Sequence, residues 1–369
     1  MRAAHPIAYP ALLASRAPVQ RVPGLGVLVR DATLLRGVLM DPEHFTKTGP
    51  GSPSDLWTPV LGPSVLLNME GADHAALRRR LAPLFSPGYV ASLVAASLAD
   101  PMAALSRRLA EGEQVDMVVE AKRNASAMIS QLVGLPADDI DDSLFDRVSS
   151  ITRVVRLSRP RLSPRQAAHA RAVLAELTAH ARAAYRAGDE STVPGRMRSL
   201  DLSEDEAMGA VGAFVLTGTE TLVSYVPRLV ALLSDSGWMQ RLAADRAPLE
   251  AAIAEGLRVT TPSPVMLRSA VGESSIGEVR VRDGDRVILA TFAANGALGA
   301  FDPERNPAAS LKQLWFGAGS HYCLGAPLAM AQVRATLEAL LEAGGARVVS
   351  RAPARGVLIP SYASLVVAA

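Results

Sequence analysis

The sequence predicts a mainly α-helical fold with a minor β region, and three observations predict it. From Gly71 to about residue 260, apolar residues recur at spacings of three and four, the period of helices that bury one face. Short apolar runs broken by Gly and Pro precede that stretch, and short runs bounded by turns come after it, as strands at the margin of a helical body would. A last helical pattern, "GAPLAMAQVRATLEALLEAGGA", begins just after the single cysteine, Cys323, and stops at Gly344-Gly345.

In chain order, "GVLVRDATLLRGVLM" and "TPVLGPSVLL" carry the short apolar runs of the N-terminal part. Helices follow over "GADHAALRRRLAPLF", "SLVAASLADPMAALSRRLAEG", "QAAHARAVLAELTAHARAAYRAG" and "APLEAAIAEGLRV", with Pro248 suited to the first turn of the last. The most apolar stretch, "AMGAVGAFVLTGTETLVSYVPRLVALL", reads as a buried central helix. Glu220, Pro227 and Arg228 break it too often for a membrane span, and Pro227 is expected to kink it beyond Thr221. "PVMLRSA", "SSIGEVRVRDGDRVILATFAAN" and "ARVVSRAPARGVLIPSYASLVVAA" read as short strands joined by turns. No repeat or linker divides the chain, so residues 1–369 are expected to form one domain.

Composition narrows the function classes. A formal charge of +2 and an aromatic content of 4% argue against nucleic acid and against a membrane surface as partner. One cysteine excludes an internal disulfide, and there is no C-x-x-C pair for zinc or redox work. The N-terminal stretch, interrupted by Pro and Arg, lacks a secretory apolar segment, so a cytoplasmic location is expected.

Chemistry gathers in "WFGAGSHYCLGAPLA". Cys323 stands just before a helix starting near Gly325–Pro327, whose positive end favours a thiolate. Gly317, Gly319 and Gly325 permit tight turns and close approach of N–H groups to sulfur, and Phe316 offers an apolar face. A shielded anionic sulfur of this kind suits a thiolate ligand of haem iron. On the cysteine alone, a small buried hydrophobe or a catalytic nucleophile would serve as well.

The pattern Phe316-Gly317-x-Gly319-x-His321-x-Cys323-x-Gly325 resembles the haem-binding signature of the cytochrome P450 family. Directly after it, Ala326-Pro327-Leu328-Ala329 is similar to the helix start typical of soluble bacterial members. The resemblance implies a triangular helical domain with small sheets, and haem b held between distal and proximal helices. Cys323 is then the axial iron ligand, and His321 reaches a haem propionate. It further implies a structural role for Glu255 and Arg258, which match the family's E-x-x-R helix. His74 and Arg78, four apart on one helical face, and Arg268 match the propionate clamp, whereas Arg79 and Arg80 read as a solvated face.

Thr217, Gly218, Thr219, Glu220 and Thr221 match the distal oxygen-binding helix. Reduction of O2 consumes protons, so an acid that relays them and a hydroxyl that holds water belong together there. Glu220 within so apolar a helix also needs a reason to be buried.

The chain departs from the family in places. Thr217 replaces the usual Ala or Gly, Gly296-Ala297 follow Asn295, and Ala308 and Gln313 stand where Arg and His are usual. A rearranged segment is expected there, and Arg305 joining Glu255 and Arg258 is in doubt. Candidates for a substrate pocket are Trp57, Val60, Leu61, Ala213, Phe214, Thr217, Val265, Met266 and Tyr362, each equally suited to the core. Arg153, Arg156, Arg159, Arg161 and Arg165 lie near the expected access lid and read mostly as a solvated face.

The reading is a monomeric haem-thiolate monooxygenase that uses O2 to hydroxylate or epoxidise a small organic substrate in specialised biosynthesis. It would take electrons from an external ferredoxin and ferredoxin reductase. An atypical cyclisation, coupling or group transfer is the near alternative. A non-catalytic haem-binding protein is the distant one, against which Glu220 and Thr221 argue.

Overall fold

Long helices form where the apolar period is longest and where capping side chains mark the ends. The computed structural model describes residues 4–5, 7–14, 16–135, 143–152, 155, 161–357 and 359–369. Arg153, Arg156 and Arg159 lie outside the described residues. The Pro87–Ala110 helix buries Val90, Leu93, Leu98, Met102, Leu105 and Leu109 along one stripe and packs against Met117–Val133 and Ala326–Glu342. Asp116 caps Met117–Val133 by accepting the Val118 N–H at 2.9 Å, and left-handed Gly134 ends it. Capping boxes start Pro164–Ala187 (Ser163 with Gln166) and Glu204–Gly218 (Ser203 with Glu206).

The central helix is interrupted, but not where the proline predicts. It runs as Glu204–Gly218 and Glu220–Asp235, with Thr219 between them at φ −100°. Hydroxyls compete with backbone N–H groups for the carbonyls one turn back: Thr217 donates to Ala213 at 2.7 Å and Thr219 to Val215 at 2.9 Å. Gly218 lowers helix propensity at the same place. At Pro227 the helix continues, and the Arg228 guanidinium donates from Nε to the Ser224 carbonyl at 3.0 Å. Among the described residues, the Pro87–Ala110 and Glu204–Asp235 stretches are long and apolar enough to cross a membrane by length and composition. Both pack within this helical body.

Three small sheets flank the helices. The largest orders its strands Val19–Val22, Gly26–Val29, Arg286–Leu289, Met266–Ala270 and Phe45–Thr46, with one parallel pair, Gly26–Val29 on Arg286–Leu289. Arg347–Pro353 and Tyr362–Ala368 pair antiparallel, and Val115–Asp116 joins the latter. Ser274–Ile276 and Val279–Val281 form a hairpin. The "TFAAN" segment, read from sequence with the strands, is instead the short helix Thr291–Gly296. Arg80 is also no solvated side chain. It pairs with Glu206 and donates to the Asp201 carbonyl at 3.0 Å, tying the Gly71–Leu81 helix to the start of the central helix.

Candidate active site

The cysteine loop is shaped by backbone contacts. The Cys323 N–H donates to the Phe316 carbonyl at 2.9 Å, and the Tyr322 N–H to Gly319 at 3.0 Å. Gly319 sits at φ +68°, and a Cβ there would lie 2.6 Å from the Leu39 carbonyl oxygen, so glycine is required on two counts. Gly325 has an ordinary φ of −81°. Its value is room, since an added Cβ would stand 3.7 Å from the Phe85 ring and 4.0 Å from Cys323 Sγ. Met266 Sδ lies 3.9 Å from the place a Cβ on Gly317 would take. The half-buried Phe316 ring meets Tyr322 edge-on, with centroids 6.2 Å apart.

Cys323 is accessible to solvent, yet enough protein surrounds its thiol that burial raises its pKa. The thiol therefore opens onto an interior space. N–H groups of Gly325 and Ala326, with the charges of Lys47 and Arg78, pull the other way and favour the thiolate. A thiol so placed stays largely neutral alone and is set to ionise when a cation binds it.

Beside the thiol stands a cluster rich in cations. His74 is 2% exposed, its Nε2 has no hydrogen-bond partner, and its ring lies 4.1 Å from that of His321. Arg78 donates from Nη2 to the Tyr322 carbonyl at 2.6 Å. Arg268 is 4% exposed and, among the described residues, donates only to the neighbouring Leu267 carbonyl, at 2.8 Å, and burial pushes its pKa down to about 10. The sequence gives no sign of Lys47 in this cluster. Loss of hydration around its ammonium, with Arg268 nearby, pushes it down to about 7. Glu70 is the other residue that sequence reasoning misses. It occupies the N-cap position before the Gly71–Leu81 helix but makes no cap bond. Its Oε1 accepts the Lys47 N–H at 2.6 Å, and its Oε2 pairs with His321 Nε2 at 2.7 Å. Burial disfavours the Glu70 charge, but these hydrogen bonds outweigh it and hold the carboxyl well below its usual range. His321, expected to reach a propionate, is thus engaged by Glu70, and burial pushes it down to about 4.

These residues suit a dianionic cofactor. With both histidines neutral, Glu70 is the carboxylate that acts on Lys47 and Arg268, and Arg78 stands beside the Cys323 thiol. With Lys47 protonated, as nearby anions favour, three cations less one anion leave a charge of two, which the two propionates of a haem would neutralise. The orphaned Nε2 of His74 is a further donor or acceptor awaiting a partner.

Glu255 and Arg258 are both fully buried, not a surface pair. Arg258 donates from Nε to Glu255 at 2.8 Å, and to the carbonyls of Asn295 at 2.7 Å and Ala300 at 2.8 Å. Arg305 is no part of this network; its side chain is 86% exposed and lies 3.9 Å from Asp302. From the rearranged segment, the Asp302 N–H donates to Glu255 Oε1 at 3.1 Å instead.

On the central helix, Thr217 and Gly218 are exposed between buried Leu216 and Thr219. The Thr221 hydroxyl lies 3.4 Å from the Thr217 carbonyl. Glu220 is half-buried, less enclosed than its apolar neighbours suggest, and accepts from the Thr152 hydroxyl at 3.3 Å. Gly218 and Thr219 also border a small pocket with Asn124, Gln332 and Thr336. The residues expected around a substrate are dispersed. Trp57, Val60 and Leu61 pack with Leu174 and Leu216, and Phe214 meets Phe85 edge-on at 5.3 Å. Val265 joins the cluster around Tyr9 and Phe292, while Met266 and Tyr362 pack on the main core and Ala213 is buried.

The family profile described as "Cytochrome P450" matches residues 238–343, which hold Glu255, Arg258, Arg268 and the whole cysteine loop. The mycinamicin IV hydroxylase/epoxidase of Micromonospora griseorubida is 29% identical over 75% of this chain and 71% of its own. The erythromycin C-12 hydroxylase of Saccharopolyspora erythraea is 28% identical over 78% of this chain and 75% of its own. The crystal structure of CalO2 superposes with a TM-score of 0.81 at 27% identity, over 98% of this chain and 96% of that one.

The chain belongs to the cytochrome P450 family. It is a cytochrome P450 monooxygenase, mainly helical with small sheets, as its sequence predicts. Membership implies a haem-thiolate centre, and Cys323 is the sole cysteine of this P450.

Proposed function

We propose that this P450 holds haem b through Cys323 and hydroxylates or epoxidises a small organic molecule of specialised metabolism. The single observation that carries the reading is the Cys323 loop, an accessible thiol ringed by N–H groups and set beside a cation-rich, acid-poor cluster. When bound, the haem supplies the reductive activation of O2 that lets one oxygen atom enter the substrate. His74, Arg78 and Arg268 would orient its carboxylates, and the Gly325 and Ala326 N–H groups would stabilise negative charge on sulfur. Glu220 would hand on protons, with the hydroxyls of Thr217 and Thr221 positioning water beside Gly218. Glu255 and Arg258 would hold the segment beneath the haem. Trp57, Val60, Leu61, Ala213, Phe214, Val265, Met266 and Tyr362 remain the proposed substrate contacts. Relatives named as a hydroxylase/epoxidase and as a hydroxylase support this class of reaction. We further propose one cytoplasmic, monomeric domain over residues 1–369, reduced by an external ferredoxin and its reductase. The ferrous–CO spectrum tests the assignment: a far-red-shifted Soret band is expected, and an unshifted band would defeat it. Substrate-induced spin shifts across a panel of natural-product scaffolds then identify the substrate class.

A further inference from the structure

The geometry points to Lys47 as the cation that pairs with a haem carboxylate in place of His321, with Glu70 as the group that holds His321 away. This rests on the proposed seating of haem b against Cys323. Strand register supplies the placement. Phe45 pairs with Ala270 and Thr46 with Ser269, and Lys47, the next residue after that pair, lies near enough to feel the Arg268 charge. Two cations side by side at a strand end repel each other unless an anion lies between them. Glu70 acts on both through space but forms an ion pair with neither among the described residues: its Oε1 accepts from the Lys47 N–H at 2.6 Å and the Thr46 hydroxyl at 3.4 Å, and its Oε2 pairs with His321 at 2.7 Å.

Among the described residues, no carboxylate lies within ion-pair distance of the Lys47 ammonium, although it feels Arg268, Glu70, the Cys323 thiol and Arg78. Glu70 thus performs two tasks. It fixes the Lys47 backbone, and it engages Nε2 of the His321 ring. One carboxylate on Arg78 and the other shared by Arg268 and Lys47 would, together with the negative charge of Glu70, bring the cluster to neutrality. Lys47 is a binding residue in this scheme, and Glu70 a positioning residue.

The test separates a contact to the carboxylates from a general role in folding. Wild type, Lys47→Met and Lys47→Arg are loaded with haem b or with its dimethyl ester, and transfer of the haem to excess apomyoglobin is timed. Lys47→Met is expected to release haem b about tenfold faster than wild type, as loss of one charge-assisted contact implies. It should release the ester at the wild-type rate, and Lys47→Arg should restore retention of haem b. Equal loss of haem b from wild type and Lys47→Met would overturn the proposal, as would equal acceleration with both haems. Should Lys47→Met not accumulate, Lys47→Gln serves in the same comparison. The far-red ferrous–CO band reports separately on Cys323. Its persistence in each variant localises any effect to the carboxylate edge, and its absence from wild type would sink the thiolate reading and this proposal together.

Discussion

At Cys323, burial raises the thiol pKa while the neighbouring N–H groups, Lys47 and Arg78 oppose it. A metal cation decides that contest, so Cys323→Ser is expected to abolish the far-red ferrous–CO band while far-UV circular dichroism stays near wild type. Gly319→Ala should act differently, because it forces a side chain into φ +68° with the Leu39 carbonyl in its way. A left-handed alanine alone costs about 1–2 kcal/mol, and the collision adds to it, so both the melting temperature and haem retention should fall. Thr221→Ala leaves the fold alone and tests proton delivery. Product formation should drop about a hundredfold while O2 consumption continues, which an oxygen electrode and product assay measure together. The motif residues could be found from sequence because each lies at a fixed spacing within one loop or one helix turn. Lys47 and Glu70 could not, since their meaning comes from a strand pairing with residues far along the chain.

Secondary-structure elements add a second kind of information. The Glu255–Arg258 spacing places both side chains on one helix face, but spacing alone does not distinguish a surface pair from a buried one. Burial comes from the segment around residues 295–300, whose carbonyls complete the guanidinium's hydrogen bonds. Arg258→Met would strand the Glu255 carboxylate in the interior and should cost about 3–5 kcal/mol, read as a lowered urea midpoint. The same segment also serves the carboxylate, since the Asp302 N–H donates to Glu255 Oε1 at 3.1 Å. The central helix teaches the opposite lesson. Pro227 carries the expectation of a kink, yet the helix is interrupted ahead of it, at Gly218 and Thr219, where threonine hydroxyls compete for carbonyls. Hydroxyl competition for carbonyls is local and could have been read from "TGTET".

Across the whole molecule, ion pairs tie distant helices together, and Arg80–Glu206 is the clearest. The Arg80 hydrogen bond pushes the Glu206 pKa down to about 2, from an ordinary value of 4.5. A depressed carboxyl stabilises the fold above its unfolded pKa, and that contribution is lost as pH falls towards the folded value. Both side chains keep partial exposure, 35% and 25%, so solvent screening limits the pair to about 1 kcal/mol. Arg80→Met should lower stability by that amount at neutral pH and converge with wild type as pH drops towards 2, as denaturation at a series of pH values would record. Arg80 read as a solvated side chain from sequence because its partner lies on another helix.

By itself, the sequence determined the helical class, the small sheets, the glycine-rich cysteine loop and the helix that follows it. Each is a local pattern, set by apolar period, capping or a glycine that only one backbone conformation accepts. Tertiary structure alone decided which charges meet. It put Glu70 on His321, brought Lys47 near Arg268, buried Glu255 with Arg258 and closed Arg80 onto Glu206. Charge is read through space, with a strength set by distance and burial, and neither can be counted along a chain.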